Sequence, residues 1–157
     1  MVQENELTPY DIHILGPGDV SLMRPMLECF AAAFDEHDTY CVSQPDDEYL
    51  AALLAGRCFF AVVAISDGRV VGGLAGYELP KFEQPRSELY IYDLAVGASH
   101  RRRGVATALI EGAKRIARDR GAWTLYVQAD LGDDPAIALY SKLGSGEDVL
   151  HFDIPPE

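Results

Sequence analysis

Three consecutive arginines, Arg101, Arg102 and Arg103, stand before Gly104, and Thr107 follows one turn into an apolar-periodic run. Such residues at the start of a helix make an anion site. The first backbone N–H groups of a helix have no internal partner, the helix dipole is positive there, and guanidinium groups add full charge. Gly104, with no Cβ, would let phosphate oxygens approach the backbone closely. The turn reads Arg101-x-x-Gly104-x-Ala106, which is neither the GxxxxGK[ST] of a Walker loop nor GxGxxG, and taken alone it is equally a solvated basic turn. A little earlier, Asp93 interrupts the apolar stretch YIYDLAV. The stretch otherwise reads as a plain core strand, but a carboxylate inside it must find a partner or take up a proton.

The remaining acids fall in groups that would bind ammonium by charge-assisted hydrogen bonds if the fold brought them to one cleft. Asp35, Glu36 and Asp38 share a polar loop, Glu78 and Glu88 lie near strand ends, Asp130, Asp133 and Asp134 precede a late helix, and Asp153 lies near the C-terminus. One of Asp133 and Asp134 is also expected simply to cap that helix. No metal site is expected: His13 and His37 are isolated, His100 belongs to the arginine turn, and His151-x-Asp153 lacks further ligands.

Composition bounds what these groups can serve. The 157 residues, 48% hydrophobic and 24% charged, suit one soluble domain with a proper core. Twenty-five acids against 13 Lys and Arg give a formal charge of −12. Such a surface repels nucleic acid, and three arginines are too few to offset it; it attracts a cation, or simply keeps the protein in solution. No apolar stretch is long enough to span a membrane, and the N-terminus lacks a signal-peptide layout, so a cytoplasmic location is expected. Cys29, Cys41 and Cys58, odd in number and widely spaced, are expected to be buried free thiols.

The elements that must position these residues follow from periodicity. DIHIL (11–15) alternates as a strand, and a helix is expected over 20–34 behind Asp19 as its cap. A polar loop leads to a short helix, DDEYLAALLAG. RCFFAVVAIS and RVVGGLAGYEL flank Asp67-Gly68, a hairpin signal. SELYIYDLAV (87–96) is a further strand, and the helix after the arginines runs to about Arg120, ahead of Gly121. AWTLYVQAD, DDPAIALYSKLG and DVLHFDI then read as strand, helix and last strand. The expected class is α/β (α+β): a mixed central sheet with helices on both faces, in the order β-α-α-β-β-β-α-β-α-β.

With that order in place, the chain resembles the GNAT superfamily of acetyl-coenzyme A-dependent N-acetyltransferases over nearly its whole length, as a single domain. Arg101-x-x-Gly104-x-Ala106 is similar to the family's pyrophosphate loop, and DDPAIALYSKLG to its fourth helix. YDLAV, HRRRGVATALI, YVQADLGDDPAIALYSKLG and HFDI together resemble the type I aminoglycoside 3-N-acetyltransferases.

The resemblance implies a cofactor, acetyl-coenzyme A. Its pantetheine arm would lie between splayed strands against the backbone of Leu94, Ala95 and Val96. Its pyrophosphate would sit on the amides from Arg102 through Arg103, Gly104, Val105 and Ala106 to Thr107, beside Arg101. Asp134 stands where the family often has Asn near the coenzyme arm, and Gly144-Ser145 replaces the usual Gly-Phe. Tyr140 would protonate the departing thiolate, a backbone N–H of Val96 or Ala95 would hold the oxyanion, and Asp93 would be the base, with Glu88 and Glu78 as runners-up. Asp35, Asp133, His151 and Asp153 would join Glu78 and Glu88 around a cationic aminoglycoside, acetylated on its 3-amino group with resistance as the outcome. A homodimer built partly from the C-terminal strands is also implied. The alternatives are a polyamine, another small amine or a protein amine as acceptor, or a non-catalytic acyl-coenzyme A-binding module.

Overall fold

The apolar runs form β1 (Asp11–Ile14), β2 (Phe59–Ser66), β3 (Arg69–Pro80), β4 (Ser87–Val96) and β5 (Thr124–Val127). The helices are α1 (Val20–Phe34), α2 (Asp47–Ala55), α3 (Val105–Arg120) and α4 (Asp134–Leu143). The structure is a computed structural model that describes residues 9–157, in two compact units, one ending at Val127 and the other over Gln128–Glu157.

In the first unit the strands lie in sequence order, antiparallel except for the parallel pair β4 and β5. Residues directly opposite across a ladder share a sheet face, so the register sorts the side chains. Phe59, Ala61 and Val63 share a face with Tyr77, Ala75 and Gly73, and with Tyr90, Asp93 and Ala95. Helices α1 and α2 cover much of this face, through Met26, Phe30, Leu50 and Leu54. A Cβ on Gly73 would run into Met26, so glycine there is what lets α1 approach. On the other face α3 packs its own stripe: Val105 and Leu109 lie against Gly72, and Gly112 against Val62. Leu74, Leu89 and Leu109 are fully buried, each stabilising the fold by about 1.5–3 kcal/mol relative to exposure.

Four sequence expectations are corrected. Residues 145–157 form no regular structure, so DVLHFDI is not a strand; β propensity needs a neighbour to pair with, and no described strand pairs with this segment. The polar loop after α1 contains one π-helical stretch, Asp38–Val42. Asp19 makes no side-chain cap on α1; it accepts instead from the Gly16 amide at 2.7 Å and from His13 Nε2 at 3.1 Å, so His13 is not isolated. Cys58 is exposed, and Cys29 and Cys41 are only partly buried.

Candidate active site

Strand β4 changes character half-way along. It pairs with β5 over Glu88–Ile91 alone, and beyond Ile91 it has no strand partner on that side among the described residues. At that point it also bulges: Ile91 faces Gly76 and Asp93 faces Ala75, which leaves Tyr92 as an extra residue. Bulges bend a strand and re-aim its side chains. The stretch 92–96 is therefore an open backbone edge inside the first unit, with Ala95 buried and Leu94 and Val96 half-buried.

Asp93 stands at the start of this open stretch, half-buried, and Tyr40 Oη donates to its Oδ2 at 3.0 Å. The π-helical stretch delivers Tyr40, whose ring is fixed against Phe30 and Phe34 at centroid distances of 5.8 and 5.9 Å. Burial pushes the Asp93 carboxyl above the usual range; the Tyr40 bond pulls it down, and the Glu36 carboxylate adds to the rise. Burial first, then the charge and hydrogen bond of Asp93, hold the Tyr40 phenol far above its ordinary value, so it remains a donor. A carboxylate with raised proton affinity, beside an open strand edge, is suited to take a proton from an amine.

The arginine turn lies past the end of β4. Gly97 N–H donates to Val71 O at 2.8 Å, a short 3-10 turn (Ala98–His100) follows, and Arg101 Nε donates to Val96 O at 3.0 Å. His100 Nδ1 lies 3.2 Å from Tyr10 Oη. Arg102 and Gly104 both adopt the left-handed conformation, with φ of 60° and 80°. Gly104 is the N-cap of α3 and brings no side-chain cap, and a Cβ built on it would meet nothing within 4 Å. The first amides of a 16-residue helix are thus left without a capping side chain, behind an open approach and beside Arg101–Arg103. This arrangement fits a pyrophosphate, with Val105, Ala106 and Thr107 in the first turn.

The other sequence candidates scatter. Glu88 shares the Asp93 face by register, and its carboxylate lies 3.3 Å from Lys81 Nζ. Glu78 does not join it. Register places it on the opposite face, where it is buried and held by Arg57 at 3.1 Å and Arg120 at 2.9 Å. Burial pushes Glu78 up, but hydrogen bonds from Ser87, Arg57 and Arg120 outweigh it and hold the group below its usual range. Asp35 is the exposed, left-handed cap at the end of α1, beside Glu36.

In the second unit Asp133 caps α4, accepting from Ala136 N at 3.3 Å, and Asp134 is the first helical residue. Tyr140 lies on α4, its phenol pushed up by burial and then by Asp133. His151 Nε2 and Asp153 Oδ1 pair at 3.0 Å on an exposed stretch. Among the described residues no cluster of His, Cys, Asp and Glu could hold a metal ion, and no helix is long and apolar enough to cross a membrane. Tyr40 was not legible as a site residue; its only sequence signal was an aromatic in an otherwise polar loop.

The pattern of the acetyltransferase (GNAT) family matches residues 23–145, a span that covers most of the first compact unit and reaches into the second. The chain belongs to the GNAT family. Among solved structures, this GNAT chain is 53% identical to an aminoglycoside acetyltransferase, HMB0005, from an uncultured soil metagenomic sample, with a TM-score of 0.91 over 94% of this chain and 99% of that one. A second soil metagenomic aminoglycoside acetyltransferase, meta-AAC0020, solved in complex with sisomicin, is 30% identical with a TM-score of 0.85, over 94% and 97% of the two chains. An N-alpha-acetyltransferase of Saccharolobus solfataricus is 35% identical over 99 residues, 56% of each chain. The match thus spans little more than half the length of that relative.

Proposed function

We propose that this GNAT protein transfers the acetyl group of acetyl-coenzyme A to the 3-amino group of an aminoglycoside, as a cytoplasmic single-domain enzyme whose activity confers resistance. The observation that carries the acyl-transfer part is Asp93, held by Tyr40 where β4 parts from β5. The aminoglycoside part is supported by the 53% identity to HMB0005 over nearly the full length of both chains.

When bound, acetyl-coenzyme A supplies a thioester that an unprotonated amine attacks directly, forming the C–N bond as the C–S bond breaks and the thiol leaves. The backbone of Leu94, Ala95 and Val96 would hold the pantetheine arm, and the α3 amides with Arg101–Arg103 the pyrophosphate. Asp93 takes the proton of the acceptor ammonium, directly or through a water. That base matters more here than in a neutral site, because surrounding acids favour the charged amine that cannot attack. The Val96 or Ala95 amide would steady the developing oxyanion. Tyr140 is the proton donor this reading assigns to the thiol; its support is its position in the α4 motif and a phenol kept protonated by burial and Asp133. The reading includes a homodimer, and a monomer mass by light scattering would remove that part.

The test is thiol release from acetyl-coenzyme A in the presence of gentamicin, sisomicin, spermidine or a basic peptide, with mass spectrometry locating the acetyl group. Acetyl on the 3-amine, lost in Asp93→Asn, is the expected result. Turnover of peptide N-termini alone would favour the second reading, a protein N-terminal acetyltransferase, to which the Saccharolobus relative gives weight.

A further inference from the structure

The sheet face that carries Asp93 also carries a continuous row of tyrosines. Register puts Tyr77 of β3 opposite Tyr90 of β4, and Tyr90 opposite Tyr126 of β5. The bulge adds Tyr92, which meets Tyr77 and Tyr90 with ring centroids 5.7 Å away in each case. The row begins in the core, where Phe59 touches Tyr77 at 5.6 Å, and runs outward across three adjacent strands, a width of about 10 Å. That width matches linked sugar rings rather than a single amine.

The rings do not all offer the same surface. Tyr90 and Tyr126 stack on each other at 4.7 Å and 5°, so each covers a face of the other. Tyr77 and Tyr92 stand at 86°, an edge-to-face contact that cannot hide both faces of both rings. Tyr92 is 61% exposed and Tyr77 41%, high values for aromatic side chains on a sheet whose neighbouring positions are core. Charge says what the row would accept. Asp93 and Glu36 lie at its α1 end, and Glu88 acts electrostatically on Tyr126 at the other, though Lys81 already engages Glu88. Burial foremost, and then neighbouring groups, push the phenols of Tyr77, Tyr90 and Tyr126 upward, so they add no negative charge at neutral pH.

We infer that this tyrosine row is the floor of the acceptor site, where a polycationic aminosugar lays a ring over Tyr92 while its ammonium groups are held by the flanking carboxylates. The apolar C–H face of a sugar ring and an adjacent ammonium are both attracted to the negative face of an aromatic ring. Asp93 follows Tyr92 directly, so a ring held by one presents its amine to the other. This inference rests on the aminoglycoside reading and adds the residue that selects ringed polycations over flexible ones.

Sisomicin is the probe, with calorimetric binding to wild type, Tyr92→Ala and Tyr92→Phe, and acetyl-coenzyme A binding to each as a check on folding. Proton spectra of bound sisomicin give a second readout. Expected are upfield shifts of protons on one sugar ring in wild type, an affinity about five- to tenfold weaker in Tyr92→Ala with those shifts lost, and near wild-type behaviour in Tyr92→Phe. Sisomicin binding with no upfield shift, or with unchanged affinity in Tyr92→Ala, would overturn the floor and leave the aminoglycoside reading standing. No sisomicin binding by a wild-type protein that binds acetyl-coenzyme A would overturn both.

Discussion

Replacing Tyr40 with Phe removes one oxygen and leaves the ring packing against Phe30 and Phe34 in place, so it isolates the 3.0 Å bond to Asp93. A hydrogen bond to a charged group contributes about 1.5–3 kcal/mol. Since both partners are only half-buried, the lower end, about 1.5 kcal/mol, is expected. For a chain of this length that is a fall in Tm of roughly 3–6 °C. The sign of the pH effect follows from which form the bond favours. Tyr40 donates to ionised Asp93 and opposes the rise caused by burial and Glu36, so its loss moves the Asp93 carboxyl further up. The acid limb of kcat/KM then shifts to higher pH, while the rate on the alkaline plateau changes little. Pre-steady-state thiol release measured from pH 5 to 9, with melting curves over the same range, reads both effects. An unmoved acid limb in a folded Tyr40→Phe protein would refute Asp93 as the base, or Tyr40 as its positioning residue.

Gly104→Ala puts a Cβ into open space at a φ of 80°, so the expected loss of stability is only the left-handed strain, about 1 kcal/mol, while the KM for acetyl-coenzyme A rises severalfold and that for the acceptor does not; titration calorimetry with coenzyme A checks this, and unchanged binding would remove the α3 amides as the pyrophosphate site. Glu78→Gln breaks the pairing with Arg120 and the more exposed Arg57, and should lower stability by about 1–2 kcal/mol at pH 7 without changing kcat or either KM. Because the folded-state carboxyl of Glu78 is depressed, its contribution is present above the unfolded value of 4.5 and fades as pH falls through the folded value. The difference between wild type and variant should therefore shrink below about pH 4.5 in denaturant titrations; a loss of turnover would bring Glu78 back into the site.

The parts of the fold that periodicity settled are those held by many apolar contacts at once. Helix α1 runs over Val20–Phe34 and β4 over Ser87–Val96, as the apolar spacing predicts, and the Asp67-Gly68 turn joins β2 to β3. DVLHFDI carries the same local signal as the true strands and forms none, because a strand is a property of a pair and the sequence names no partner. The arginine turn was legible because glycine and charge are local signals. The Asp93 environment was not, since Tyr40 sits 53 residues away and reaches it only through a π-helical stretch that has no periodic signature. Glu78 and Glu88 look alike in sequence, yet register puts them on opposite faces; one is tied into two arginines and only the other shares the face of Asp93.

The bulge at Tyr92 makes β4 a strand of two parities. Ahead of it the residues on the acceptor face are even-numbered, Glu88 and Tyr90; past it they are odd-numbered, Asp93 and Ala95. Deleting Tyr92 would close the bulge, leave Ile91 opposite Gly76 and Asp93 opposite Ala75, and so keep Asp93 on the acceptor face while removing the extra ring. Side-chain exchanges can therefore reshape the tyrosine floor without disturbing the open edge, and even loss of the bulged residue would take away the Tyr92 ring while leaving the base on the acceptor face. Variation in acceptor preference among proteins with this strand should accordingly accumulate at positions 77, 90, 92 and 126, where a change alters the floor and leaves the base in place.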